Sequence, residues 1–180
     1  MRDQLREIGE ADYWVYGLSV SDFDYTVSLA RGLVAAKRAE FKRYEAETRA
    51  SSPEAADDIL DDVAYYNWVD TQYVWHFCLW RLQAVFEGLL VYRLLPEDQR
   101  AGLIGLRAKL DAVRRAGYVI ADELYSELLM WARVRNALSH APPEQFAPGP
   151  LKEEDVLEYQ ALVSGLCATW GVDTGRKSDG

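Results

Sequence analysis

Three side chains near the end of an apolar segment have the types needed to cleave RNA without a metal ion. Arg135, Asn136 and His140 lie within the sequence RNALSH. An imidazole can remove the proton of a ribose 2′-hydroxyl, and a guanidinium can stabilise the charge that builds on the phosphorus centre. Because RNA supplies this hydroxyl as its own nucleophile, no serine or cysteine is required. The spacing is equally compatible with a helix-capping histidine beside an arginine that reaches solvent.

Arg135 lies on the apolar side of its predicted helix. At 100° per residue it falls about 20° from Leu124, inside the stripe formed by Leu124, Leu128, Trp131 and Leu138. An unpaired charge on that side would be very costly. We therefore expect the guanidinium to reach solvent, to pair with a buried acid, or to face a cleft that binds an anion.

His140 is expected at or near the C-terminal cap of the same helix, because Pro142 disfavours helical geometry at Ala141. The carbonyl end of a helix favours the cationic form of a histidine. That position suits the role of general acid better than that of general base.

The distribution of charge favours a local site over a general affinity for nucleic acid. The chain of 180 residues has a net charge of −9, which opposes non-specific binding to DNA or RNA. Residues 100–140 contain seven basic and four acidic residues, a net charge of +3, so the remainder carries −12. Four basic residues of this stretch are candidate substrate contacts: Lys109, Arg114, Arg115 and Arg133.

Apolar periodicity and helix-breaking residues predict five helices and no strand. The expected ranges are 22–49, 53–95, 97–116, 121–140 and 152–170, with Gly117 and Gly171 closing the third and fifth. The fold class is therefore all-α, a helical bundle with one long central helix.

The predicted organisation has three parts: an N-terminal helical extension at 1–50, a helical domain at 51–171 and a mobile tail at 172–180.

The long second helix is aromatic and apolar around nearly its whole circumference. A helix of this kind must be buried on all sides. It is either the central core helix or one whose extra face packs against a second copy of the chain. Its aromatic residues are Tyr65, Tyr66, Trp68, Tyr73, Trp75, Phe77, Trp80 and Phe86.

Several other classes of site find no support in the sequence. It contains no glycine-rich phosphate loop and no nucleophile elbow. Neither histidine has the Glu-x-x-His spacing of a bundle metal site, and His76 between Trp75 and Phe77 is interpreted as a packed core histidine. The acidic residues at 57–62 suit a helix start. No metal and no cofactor are expected.

The chain also lacks the signals of export and of membrane insertion. The cysteines, Cys78 and Cys167, lie in apolar surroundings without a C-x-x-C motif, which favours a reduced, cytoplasmic protein. The N-terminus is too polar for a secretory leader, and no apolar run is long enough to cross a bilayer.

The sequence RNALSH resembles the Arg-Asn-x-x-x-His form of the Arg-x4–6-His motif of the HEPN superfamily. The surrounding order is similar too: a long helix, the segment LIGLRAKLDAVRRAG, then ELLMWARVRNALSH and one closing helix. The resemblance covers roughly residues 55–170. It implies an all-α bundle and a homodimer, in which two copies of the motif meet across a cleft with Arg135 and His140 as the catalytic pair.

The resemblance implies a function as well. Many HEPN proteins are metal-independent endoribonucleases that leave 2′,3′-cyclic phosphate ends and act as toxins or phage-defence effectors, some controlled by an antitoxin or a sensor protein. Toxins regulated by nucleotidylation often carry a tyrosine two residues after the histidine, where this chain has Pro142. That mode of regulation is not expected here. Two alternatives remain open: a non-catalytic HEPN domain that binds RNA, nucleotide or a partner protein, and a helical interaction domain that binds through its aromatic second helix.

Overall fold

A computed structural model describes residues 19–139 and 149–172 of the chain. These residues form five α-helices and no strand, which confirms the all-α class. The helices are α1 (Ser21–Ser51), α2 (Ala56–Leu94), α3 (Gly105–Arg115), α4 (Asp122–Ser139) and α5 (Glu153–Thr169). A 3₁₀ turn, Glu97–Gln99, follows α2.

The predicted helix bounds agree with these within a few residues, except at the start of α3. We expected a helix from residue 97, whereas α3 begins only at Gly105. Gly102 and Gly105 have φ of 75° and 76°, in the left-handed region that a continuing helix cannot use. Gly117 and Gly171 have φ of 96° and 64°, as expected for residues that close helices.

The 39-residue helix α2 is the central element, and its C-terminal half is the part that lies in the core. Leu79, Leu82, Val85, Phe86 and Leu90 of α2 are completely buried. The other four helices all pack against α2. They contribute these buried residues: Phe23 and Val27 from α1, Leu110 and Val113 from α3, Leu128 from α4, and Tyr159 and Val163 from α5.

Helix α1 packs along α2 and shares its core. Exposed ion pairs join the two helices, from Lys37 to Asp70 at 2.8 Å and from Arg49 to Asp57 at 2.9 Å. Exposed pairs of this kind contribute little to stability, so the apolar residues of α1 hold it in place. The predicted division of the chain near residue 50 coincides with the short connection between α1 and α2, and the division remains a prediction.

The connection from α3 to α4 is fixed by Arg114. Its guanidinium donates hydrogen bonds to the Ile120 carbonyl at 2.6 Å and to Asp122 Oδ1 at 2.9 Å. It also lies 4.3 Å from the centre of the Tyr125 ring. The Tyr125 hydroxyl donates to Asp111 Oδ1 of α3 at 2.7 Å. These contacts set where α4 begins and therefore where its later residues lie.

None of the helices within 19–139 and 149–172 combines the length and the apolar character needed to cross a membrane.

Leu110→Ala should lower the free energy of unfolding by about 3 kcal/mol, because the side chain is completely buried between α3 and the core. Ile104→Ala removes the same number of carbon atoms from a side chain that is 89% exposed. It should change the free energy of unfolding by less than about 0.5 kcal/mol. Urea unfolding followed by circular dichroism measures both. Equal losses in the two variants would contradict the position of α3 against the core.

Candidate functional site

A buried carboxylate, that of Glu87 on α2, joins three helices. Arg135 Nη2 of α4 donates to Glu87 Oε1 at 3.1 Å, and Lys109 Nζ of α3 donates to Oε2 at 2.5 Å. Gln83, one turn earlier on α2, donates from Nε2 to Oε1 at 3.0 Å. We call Gln83, Glu87, Lys109 and Arg135 the Glu87 cluster.

The Glu87 cluster carries an excess of positive charge. Two cations share one carboxylate, so its net charge is +1. The exposed fractions of the side chains are 11% for Glu87, 18% for Lys109 and 26% for Arg135. Charges so far removed from solvent interact strongly with their neighbours and are weakly screened by salt. The remaining positive charge therefore favours an anion at the exposed edge of the cluster.

Several buried polar atoms around the Glu87 cluster have no hydrogen-bond partner. They are Arg135 Nε, Gln83 Oε1, Trp131 Nε1 and the Tyr159 hydroxyl. The rings of Trp131 and Tyr159 pack with centroids 5.3 Å apart. Burial raises the pKa of Tyr159 far above its usual value; the charge of Glu87 adds to this and that of Arg135 opposes it. Tyr159 is therefore a neutral hydroxyl beside the cluster.

The structure shows how the charge of Arg135 is compensated on the apolar side of its helix. The neighbouring stripe residues Leu128 and Trp131 are buried, as expected. Of the three possibilities, the guanidinium adopts the pairing with a buried acid. The pairing does not bury Arg135 completely, since about a quarter of the side chain remains exposed.

The other candidate residues are not all brought together. Lys109 joins Arg135 at Glu87, whereas Arg114 is bound to Asp122 at the opposite end of α4, about 20 Å along the helix from Arg135. Arg115 is exposed at the end of α3.

On α4, Arg133 and Asn136 flank Arg135 and are both exposed. His140 lies outside the described residues, and so do Pro142 and the expected tail beyond residue 172. The roles assigned to these residues therefore stay predictions.

Sequence reasoning missed Glu87, Gln83 and Tyr159. A signal for the first two was present, since a glutamine and a glutamate four residues apart interrupt the apolar run LWRLQAVFEGLL. Two polar residues at that spacing lie on the same side of a helix. Tyr159 had no comparable signal, because a tyrosine within an apolar helix is an ordinary core residue.

The segment 65–80 of α2 exposes much of its aromatic content, and six of these side chains are between 46% and 66% exposed. Four of them lie within about 60° of one another around α2, and we call these four the aromatic surface: Tyr66, Tyr73, Phe77 and Trp80. The other two, Tyr65 and Trp68, lie on other sides of the helix. Tyr66, Tyr73 and Trp80 follow one another at intervals of seven, and Glu87 continues the same interval. They therefore lie along one side of α2, and that side ends at the Glu87 cluster.

An apolar groove between α1 and α2 adjoins the aromatic surface. Its volume is about 390 Å³, and Phe77 belongs to both features. Tyr25, Leu29 and Leu33 of α1 form the opposite wall of the groove, each at least half exposed. Exposed apolar side chains that adjoin a groove in this way are typical of surfaces that contact another molecule.

The two cysteine thiols and the imidazole of His76 lack the surroundings of catalytic groups. Burial raises the pKa of Cys78 and of Cys167 to about 12, so neither forms a thiolate nucleophile near neutral pH. His76 is partly buried, packs edge-on against Tyr73, and has its pKa lowered by burial. Within the described part of the chain, no group of three or more histidine, cysteine, aspartate or glutamate residues could hold a metal ion.

Together these features define an all-helical protein with a buried cationic cluster and an uncovered aromatic surface on the same helix. No protein-family model, no curated protein and no solved structure matches this chain.

Tyr159→Phe should leave the free energy of unfolding within about 0.5 kcal/mol of the original or raise it slightly, because the lost hydroxyl has no partner. Tyr125→Phe is the matched control. It removes a hydroxyl that donates to Asp111 and should cost about 1 kcal/mol. Urea unfolding compares the two. A larger loss for Tyr159→Phe would mean that its hydroxyl is bonded in solution.

Proposed function

We propose that this protein is a metal-independent endoribonuclease of the HEPN type, acting in the cytoplasm as a toxin or phage-defence effector. The observation that carries the proposal is the convergence of Lys109 and Arg135 on one buried carboxylate, with a positive charge left over. Arg135 contributes to this cluster from α4, and the sequence continues from there to His140. The motif resemblance and the local cation cluster support the same reaction and share Arg135.

In this reaction, Arg135 stabilises the charge that develops on the phosphate during attack by the 2′-hydroxyl. A guanidinium suits this role, because it remains charged at any working pH and presents several N–H donors in one plane. Its attachment to Glu87 fixes that plane before RNA arrives, which avoids reorganisation during the reaction. His140 transfers the proton, and Asn136, exposed beside Arg135, contacts the substrate.

A homodimer formed through the aromatic surface would complete the site. Buried aromatic side chains each cover 150–250 Å², so the four half-exposed ones of the aromatic surface offer roughly 400 Å². A stable interface needs about 800 Å² from each partner, and the exposed groove residues of α1 would add to the aromatic area. Because the aromatic surface ends at the Glu87 cluster, a second copy covering it would lie next to Arg135. Two histidines would then be available, one as base and the other as acid.

The second candidate function is that of an interaction module which binds a different protein, such as an antitoxin or a sensor. The exposed aromatic surface favours this reading, since it would serve a foreign partner as well as a second copy. In that case the Glu87 cluster is a structural ion pair, and Arg135 does not contact RNA. The two candidate functions differ in whether the protein cleaves RNA and in whether it forms a homodimer.

Purified protein should cleave total or transfer RNA in EDTA and leave 2′,3′-cyclic phosphate ends. His140→Ala should abolish cleavage, because the proton-transfer group is lost, with a fall of about 10²-fold or more. His76→Gln is the matched control, since it alters the other histidine in the chain, and it should cleave like the original. Cleavage that survives in His140→Ala would remove His140 from the mechanism. Absence of cleavage by all three proteins favours the interaction module.

The protein should sediment as a dimer at micromolar concentration, and Phe77→Glu should convert it to a monomer by placing a charge within the aromatic surface. Tyr92→Glu places the same charge on an exposed tyrosine of α2 outside that surface and should remain dimeric. Analytical ultracentrifugation of the three proteins decides between the outcomes. A monomeric original protein would contradict the composite site and leave the aromatic surface to another partner.

A further inference from the structure

The Glu87 carboxylate is an unusual neighbour for a guanidinium that must bind phosphate. It occupies one N–H of Arg135 Nη2 and also holds Lys109, so it competes directly with an incoming anion for both cations. An enzyme selected only for tight RNA binding would be better served by an uncharged acceptor at this position. The carboxylate must therefore contribute something other than affinity.

Its contribution is orientation. Arg and Lys side chains are long and lose considerable freedom when they are fixed, and Glu87 fixes one of each through its two oxygens. Gln83 donates to the same oxygen as Arg135 and thereby holds the carboxylate itself in one rotamer. Glu87 thus holds the guanidinium in place, while about a quarter of the Arg135 side chain remains exposed.

We propose that Glu87 is the positioning residue of the Arg135 site. Its charge weakens the binding of phosphate in the ground state, and its hydrogen bonds fix the orientation of Arg135 and Lys109. With Glu87 present the cluster has a net charge of +1, and without its charge the cluster has +2. Removing the charge strengthens phosphate binding in the ground state and in the transition state alike, which lowers KM and does not raise kcat. Losing the fixed geometry lowers kcat. This role rests on the proposed ribonuclease function.

The test separates binding from cleavage by using two RNAs. A 2′-O-methyl oligoribonucleotide keeps its phosphates but lacks the attacking hydroxyl, so it reports affinity alone. Unmodified RNA reports kcat and KM. Glu87→Gln should bind the 2′-O-methyl RNA about tenfold more tightly, with a salt dependence steeper by about one phosphate contact. On unmodified RNA its kcat should fall by about 10–100-fold while KM also falls.

Two further variants keep the proposal testable if Glu87→Gln does not fold. Glu87→Asp retains the charge and shortens the side chain, so its affinity should stay within about twofold of the original while kcat falls. Lys109→Gln reduces the net charge of the cluster from +1 to zero and should weaken binding by about tenfold. Glu123→Gln is the charge-matched control at the exposed start of α4, and it should change neither quantity. Circular dichroism establishes which variants are folded.

The outcomes distinguish this proposal from the proposed function. Tighter binding without cleavage in any protein supports the charge balance at Glu87 but overturns the ribonuclease. Cleavage by the original protein with unchanged or weaker binding in Glu87→Gln overturns the positioning role and leaves the ribonuclease standing. A fall in kcat without a fall in KM in folded Glu87→Gln also overturns it, since loss of structure alone would give that result. Failure of every protein to bind the 2′-O-methyl RNA overturns both.

Discussion

The arrangement of the C-terminal half of this protein depends on how one buried carboxylate is satisfied. Glu87 accepts hydrogen bonds from residues of α2, α3 and α4, so none of these helices can move without breaking a contact to a charged group. Removing one partner from such a set leaves an uncompensated buried charge, which is strongly destabilising. Yet a well-packed apolar set of the same volume is often as stable or more so. Two cations on one acid, surrounded by polar atoms without partners, are therefore poorly explained by stability and better explained by a function that needs charge at this place.

The exposed aromatic surface follows from a mismatch in helix length. Helix α2 has 39 residues and is about 58 Å long, whereas α3, α4 and α5 have 11, 18 and 17 residues. The three shorter helices can cover only part of α2, and they cover its C-terminal half. Helix α1 covers a different side of the N-terminal half. The stripe formed by Tyr66, Tyr73 and Trp80 is left uncovered, although the same side of α2 is buried one interval later at Glu87.

The helices could be predicted from the sequence because each is bounded by residues with a direct backbone effect. Pro96 ends α2, and the glycines at 117 and 171 adopt the positive φ that closes a helix. The late start of α3 could not be predicted, since whether Gly102 and Gly105 interrupt a helix depends on where tertiary packing places it.

The site could be predicted only in part. The position of Arg135 on an apolar stripe predicted that its charge needs a partner. The identity of the partner acid, Glu87, is set by how α2 and α4 pack. A central core helix was one of two possibilities for α2, and its N-terminal half is only partly covered within a single chain.

The acidity of the whole chain and the cationic Glu87 cluster act over different distances. At physiological ionic strength the screening length is about 8 Å. The acidic residues at 57–62 are at least 25 positions from Glu87 on the same helix, or about 37 Å along it, so they have little effect on the potential at Arg135 within one chain. In a dimer this separation no longer holds. An antiparallel pairing of two α2 helices through the aromatic surface would bring the acidic start of one helix towards the Glu87 cluster of the other, where it would compete with RNA. A crossed pairing would keep that acidic segment away from Arg135, so in the proposed dimer the angle between the two copies would decide whether the cluster can bind RNA.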